Sequence, residues 1–237
     1  MVPPMILGIE SATSRVGCAV GDASGVRAAR ESAQPRRHAE SLAPQIAEIL
    51  TESGVRAADI EVVAVDVGPG LYTGLRVGIT TAITMAHALN AAMVPVTSLE
   101  LVARRAADGR AADEWAAERS WERIDAVVDA RRGELFHAAF TPEGDWISEP
   151  AVVAPEVLAA TLRSTAAGTL LAGDGIEAHA EVFAQAGLST EGSSVYPSAE
   201  TIVALAAAAV AAGEVVNADS VRPMYLRGPD AQPIGIP

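Results

Sequence analysis

Two short stretches of this 237-residue chain carry residue types and spacings that could meet a phosphate. In "DVGPGLYTGLRVG" at 66–78, Gly68 and Gly70 let the backbone approach a ligand closely and Pro69 stiffens the turn. Thr73 stands where a helix begins and unpaired N–H groups collect, a place that suits a phosphate or carboxylate. Arg76 is the nearby fixed cation. The stretch is not a Walker loop, because no Lys-Ser/Thr pair follows the glycines, nor is it the GxGxxG dinucleotide fingerprint. The second stretch, "ESATSR" at 10–15, gathers Glu10, Ser11, Thr13 and Ser14 in a polar turn. Its hydroxyls and N–H groups could bind phosphate oxygens, although Ser and Thr are ordinary turn residues too.

Other chemistry is poorly provided for. Histidines 38, 87, 137 and 179 are scattered without an HExxH-type pair, so no metal site is expected. The lone Cys18 rules out an internal disulfide framework and reads as a small core residue in a reducing compartment. "LLAGDGI" at 170–176 reads as a turn after a buried strand. A formal charge of -13 opposes unaided capture of a phosphate backbone, so any RNA is expected to be held by a partner. The longest apolar run, "IVALAAAAVAA" at 202–212, is shorter than the roughly 20 residues a membrane span needs. The N-terminus has no basic region before its apolar residues and reads as a first strand. The expected location is the cytoplasm.

The elements that must position these loops follow from periodicity. "MILGI" and "VGCAVGD" flank the 10–15 turn as a hairpin. A related pattern recurs in "IDAVVDARRGELFHAAF" at 124–140, with Asp129 standing where Glu10 stood. Residues 38–53 have Leu42, Ile46 and Ile49 at helical spacing, giving an amphipathic helix that starts or kinks near Pro44. "IEVVAVDVG" at 60–68 reads as a buried strand, 74–90 as a helix and "MVPVTS" as the next strand. That alternation predicts an α/β layered fold made of two related halves. Residues 1–100 form the first half, joined by a C-terminal helix at 198–212 that Ser198 caps and Gly213 ends. Residues 101–197 form the second half, opening on a charged, solvated connector at about 101–123, and 213–237 are an extension.

No charged residue occurs between Val77 and Leu99. Leu75, Ile79, Ala82, Ile83, Ala86 and Leu89 supply a core stripe for the 74–90 helix. The opposite face then holds Val77, Thr80, Thr81, Thr84, His87 and Ala88, small and uncharged where a solvated face carries charge. Such a face suits burial against another chain.

The segments "ILGIESATSRVGCAV", "HAESLAPQIAEIL", "DVGPGLYTGLRVG", "VPVTSLE", "VVDARRGELF", "LLAGDG" and "RPMYLRGPDA" together resemble the TsaB (YeaZ) family of bacteria. The resemblance implies the duplicated fold of actin, sugar kinases and heat-shock-protein ATPases. It also implies a part in making threonylcarbamoyladenosine next to the anticodon of tRNA. Catalysis would belong to a paralogous partner, TsaD, which holds a metal through an HxxxH-type pair. Laid on that motif, "SLELV" puts Ser98 and Val102 at the two histidine positions, and neither replaces an imidazole ligand.

The resemblance thus implies a subunit without catalytic residues or a cofactor of its own, with ATP and metal on the partner subunits. The partner contacts would lie on the first two helices, through Leu42, Ile46 and Ile49 and through the uncharged face of the second. TsaE, an ATPase, would be a third component, and a homodimer through the same surface is compatible with the family. Glu10, Ser11, Thr13, Gly68, Gly70, Thr73 and Arg76 would be a vestigial nucleotide loop. The competing reading is a free-standing ATP-dependent phosphotransferase of the sugar/acetate kinase type, which would bind ATP tightly alone. A metallopeptidase would instead carry stoichiometric metal.

Overall fold

Near-continuous apolar runs in "MILGIE" and "VGCAVGD" build strands buried on both faces, β1 (Met5–Glu10) and β2 (Val16–Asp22), in the structure, a computed structural model describing residues 2–33, 38–109, 121–165, 168–188 and 195–227. They pair antiparallel, with Leu7 opposite Val20 and Ile9 opposite Cys18, and β3 (Gly25–Ser32) continues beside β2. The chain crosses through α1 (His38–Ser53) to β4 (Ile60–Asp66), which lies parallel to β1. It crosses again through α2 (Tyr72–Leu89) to β5 (Ala92–Val96), parallel to β4. The sheet order is β3-β2-β1-β4-β5, and Met93 of β5 exchanges two backbone hydrogen bonds with Val216 at its outer edge.

A second sheet repeats the plan. β6 (Arg123–Arg131) pairs antiparallel with β7 (Glu134–Phe140), which is flanked by β8 (Ala151–Val153). After α4 (Pro155–Leu162), β9 (Thr169–Ala172) lies parallel to β6, giving β8-β7-β6-β9. In each half the first strand therefore sits between its hairpin partner and a parallel strand reached through a helix.

Helices fill the layers between and outside these sheets. On one face of the first sheet, Leu42, Ile46 and Ile49 of α1 and Leu75, Ile79 and Ala82 of α2 pack with Leu7, Ile9, Val63 and Val65. On the other, α7 (Ala199–Ala212) buries Ile202, Val203 and Ala206 against Ile6, Ala19, Val62 and Ala64. Its approach is so close that a Cβ on Gly8 would lie 2.8 Å from the Ala199 carbonyl oxygen. Ser198 Oγ accepts the Thr201 N–H and Gly213 ends α7 in the left-handed region, as their types require. α3 (Ser98–Ala107) opens on a Thr97–Glu100 capping box and stands between the halves. The outer face of the second sheet is covered by α4 with the short α5 (Gly175–Ala178) and α6 (Ala180–Gln185), through Leu158, Leu162, Ile176 and Phe183.

Four expectations need correction. Leu42, Ile46 and Ile49 are core residues and present no surface to another chain; each withdraws an aliphatic side chain worth about 1.5–3 kcal/mol of burial. α1 covers the expected span, starting at His38 and not at Pro44, which lies inside it. The expected connector at 101–123 begins as helix, because Leu99, Val102, Ala103 and Ala106 form an i, i+3, i+4, i+7 stripe against the second sheet. A boundary at 100 would cut α3, and residues 110–120 of that stretch lie outside those described. The extension expected at 213–237 is packed on the body as far as Arg227: Ala218 and Val221 enter the first core and Leu226 packs on the second. No helix among the described residues is long and apolar enough to cross a membrane.

Candidate functional site

The glycine-rich loop joins the carboxyl end of β4 to α2, and its shape is set by Asp66. That carboxylate is buried; Oδ1 accepts the Gly68 N–H at 2.7 Å, and Ser98 Oγ stands 2.8 Å from each carboxylate oxygen. Ser98 N–H in turn donates to the Gly68 carbonyl at 3.0 Å. Gly68 takes a φ of 101°, which a glycine adopts without penalty, and Gly68–Pro69 is cis. Burial, against the opposing hydrogen bonds from Gly68 and Ser98, pushes Asp66 up to about 7.

The hairpin turn 10–15 closes directly on this loop. The Ala12 carbonyl accepts the Leu71 N–H at 2.6 Å, and a Cβ on Gly70 would lie only 2.3 Å from that same oxygen. Ser11 Oγ donates to the Gly74 carbonyl at 2.9 Å and fills the place a Cβ on Gly78 would need. Glu10 is buried and accepts the Ala12 N–H at 2.8 Å; burial first, then the neighbouring Asp66, raise its pKa well above the carboxylate range. Thr13 is buried too and accepts the Arg15 N–H at 3.3 Å. Glu10, Ser11, Thr13 and the Leu71 N–H are thus bonded within the chain. Thr73 and Arg76 remain exposed, with the Arg76 guanidinium 4.2 Å over the Tyr72 ring and its Nε donating to Tyr225 Oη at 3.3 Å.

Ser98 and Val102 share one face of α3, one turn apart, and both are fully buried. Ser98 is engaged with Asp66 and Val102 sits in the second core, so these positions offer one neutral hydroxyl and a hydrocarbon. This donor set does not fit a metal ion. Among the described residues no group of three or more His, Cys, Asp or Glu is placed to hold one.

The second half has a corresponding corner. Asp174, after Gly173, accepts the Asp129 N–H at 3.0 Å, and burial pushes it up to about 6. Gly173 is required here, since a Cβ would strike the Val127 carbonyl. The stretch 170–176 is therefore a tether to the β6–β7 hairpin and more than the plain turn its sequence suggests. That hairpin is more open: Arg131 and Arg132 have φ of 62° and 58°, and Arg131 pairs with Asp129 at 2.9 Å.

Outside both corners lies the uncharged side of α2. Thr80, Thr84, His87 and Ala88 are exposed, and Val77 and Thr81 are half-buried. A groove of about 550 Å³ runs along its first turns, lined by Tyr72, Thr73, Arg76, Val77, Thr80, Thr81 and Ala39 of α1. Two participants escaped the sequence reading. Asp66 meets Ser98 across 32 positions and Tyr225 meets Arg76 across 149, distances no local pattern reports.

Two α/β halves of the same strand plan, meeting at these loops, define a duplicated α/β protein, and the structures it resembles share this architecture. The family model for TsaD, tRNA N6-adenosine threonylcarbamoyltransferase, matches residues 31–231. The Escherichia coli tRNA threonylcarbamoyladenosine biosynthesis protein TsaB is 30% identical over 94% of this chain and 94% of its own length. The crystal structure of a Pseudomonas aeruginosa protein described as similar to peptidase YeaZ superposes with a TM-score of 0.80 at 28% identity, covering 94% of this chain and 100% of that one. A tRNA N6-adenosine threonylcarbamoyltransferase of Novosphingobium aromaticivorans is 32% identical over 40% of this chain and 33% of its own length. The chain belongs to the TsaB (YeaZ) family.

Proposed function

We propose that this chain is a non-catalytic scaffold subunit that binds and supports a TsaD-like threonylcarbamoyltransferase in the modification of adenosine next to the anticodon of tRNA. The observation that carries the proposal is the largely exposed face of α2 from Val77 to Ala88, which holds no Asp, Glu, Lys or Arg, beside the α1–α2 groove that Arg76 lines. A helix face that met only water would hold charge, whereas an interface core is depleted of it. Family membership and the partial likeness to a threonylcarbamoyltransferase support a paralogous partner. ATP and metal would reside on the partner subunits, a TsaE-like ATPase would complete the set, and this chain would meet tRNA only indirectly, through the partner. In the partner's absence the same face would pair two copies of this chain.

Reconstitution with and without this subunit tests the role: product formation should depend on it, and an unchanged yield in its absence would reject the proposal. Thr84→Glu places charge on the exposed face, where the threonine hydroxyl donates to the Thr80 carbonyl of its own helix. Partner affinity should fall about ten-fold or more with the melting temperature nearly unchanged. A pull-down that is indifferent to this change would place the interface elsewhere. The phosphotransferase reading is disfavoured because the Leu71 N–H and the Ser11 hydroxyl are already bonded within the chain. Calorimetry showing tight ATP binding by the isolated protein would restore it.

A further inference from the structure

After α7 the chain returns across the molecule along a path that touches both halves. Val216 bonds to Met93 on the first sheet, and Ala218 and Val221 enter the first core. Met224 N–H then donates to the Val67 carbonyl at 2.7 Å, at the root of the glycine-rich loop. The Met224 carbonyl oxygen lies 3.1 Å from where a Cβ on Gly68 would be, so a side chain at this position, already strained by a φ of 101°, would also crowd the strap. Tyr225 stacks on Tyr72, ring centroids 5.3 Å apart. Leu226 crosses to pack on the second core, and Arg227 donates to the Ala130 carbonyl at 3.2 Å and pairs with Glu134, both in the β6–β7 hairpin.

A second bridge joins the halves by other residues. The Arg15 guanidinium, from the first hairpin turn, lies 4.0 Å over the ring of Tyr196. Tyr196 Oη donates to Glu177 of α5 at 3.0 Å, and its carbonyl accepts from Arg105 at 2.8 Å.

We propose that residues 221–227 are a clasp that holds the two halves at a fixed angle and couples the glycine-rich loop to the β6–β7 hairpin. Seven residues bind the loop's backbone at one end and the hairpin's backbone at the other. Neither corner can shift without breaking a backbone hydrogen bond, the packing of the half-buried Leu226 or a charge-assisted pair. The Arg15–Tyr196–Glu177 bridge holds a second connection between the halves, so loosening the clasp should free the two corners before the sheets part. The inference concerns the isolated chain and stands independently of any partner.

Hydrogen exchange by mass spectrometry on the isolated protein tests it, with the double variant Leu226→Ala, Arg227→Ala and the milder Arg227→Ala. The expected result is that amides in 67–71 and 129–135 exchange faster together, by roughly ten-fold or more in the double variant, while those of β1 and β2 keep their protection. Acceleration confined to 221–227, or spread evenly over both sheets, would overturn the clasp. If the double variant does not fold, Arg227→Ala is read by the same pattern at smaller amplitude, and no change at either corner counts against the proposal.

Discussion

The two corners of this molecule share one skeleton and differ in how it is filled. In each, an aspartate at or just beyond the end of a parallel strand holds backbone: Asp66 binds the Gly68 N–H of its own loop, and Asp174 binds the Asp129 N–H of the facing hairpin. The first corner is dry and closed, with Glu10, Ser11, Thr13, Asp66 and Ser98 all buried. The second keeps exposed arginines in a hairpin whose glycine, Gly133, has open space around it. The same skeleton can therefore hold a loop whose hydrogen-bonding groups are spent on the chain itself. Glycine in such a loop does not by itself signal a bound phosphate.

The sharpest way to break this contrast is to add one carbon to each corner. Gly70→Ala drives a methyl group into the Ala12 carbonyl, a backbone atom held by Leu71, and should cost about 3 kcal/mol or more. Gly133→Ala meets nothing but has a φ of 78°, so its cost should be only about 1–2 kcal/mol. Chemical denaturation of both variants measures the difference, and equal costs would mean that the first corner is not closed as described.

The response to pH separates the corners in a second way. A carboxyl whose folded pKa lies above its ordinary 3.8 stabilises the fold fully below that value and loses this contribution as pH rises through the folded one. For Asp66 the loss runs from pH 3.8 to about 7, and for Asp174 it stops at about 6. Asp66→Asn should therefore flatten the decline in stability over that range more than Asp174→Asn does. Melting curves taken across pH 4 to 7 compare them, and a larger effect at Asp174 would reverse the assignment of the drier corner.

The smallest effect is expected at the second hairpin. Arg132 and Gly133 form a two-residue turn with positive φ at both positions, geometry that Asn-Gly satisfies best. Arg132→Asn should stabilise by a few tenths to about 1 kcal/mol, read as a modest rise in melting temperature. A fall would mean that the arginine makes contacts worth more than its backbone strain.

Much of the scaffold was legible because its signals are local. Paired apolar runs around a polar turn gave both hairpins, and the core stripe of α2 follows from the spacing of Leu75, Ile79, Ala82 and Ala86. The same rule applied to Leu99, Val102, Ala103 and Ala106 would have revealed α3, which the charges of Arg104, Arg105 and Asp108 disguised as a connector. Leu42, Ile46 and Ile49 show the opposite error: helical spacing identifies an apolar face without saying whether the cover is this chain's sheet or another protein. The site was legible in its loops but not in its closure. Ser98 capturing Asp66, and residues 221–227 crossing to the β6–β7 hairpin, depend on contacts between remote segments that carry no periodicity of their own.

The backbone exchange between Met93 and Val216 bears on how the protein keeps to itself. A five-stranded sheet has two margins at which a foreign strand could add, and half of this chain's residues are hydrophobic. At β3 the margin is guarded by Arg27, Arg30 and Glu31, whose charges discourage stacking. At β5, where the strand is nearly all apolar, the guard is the returning chain itself. A chain ending before residue 216 would leave that margin bare, and self-association through it would be the first symptom.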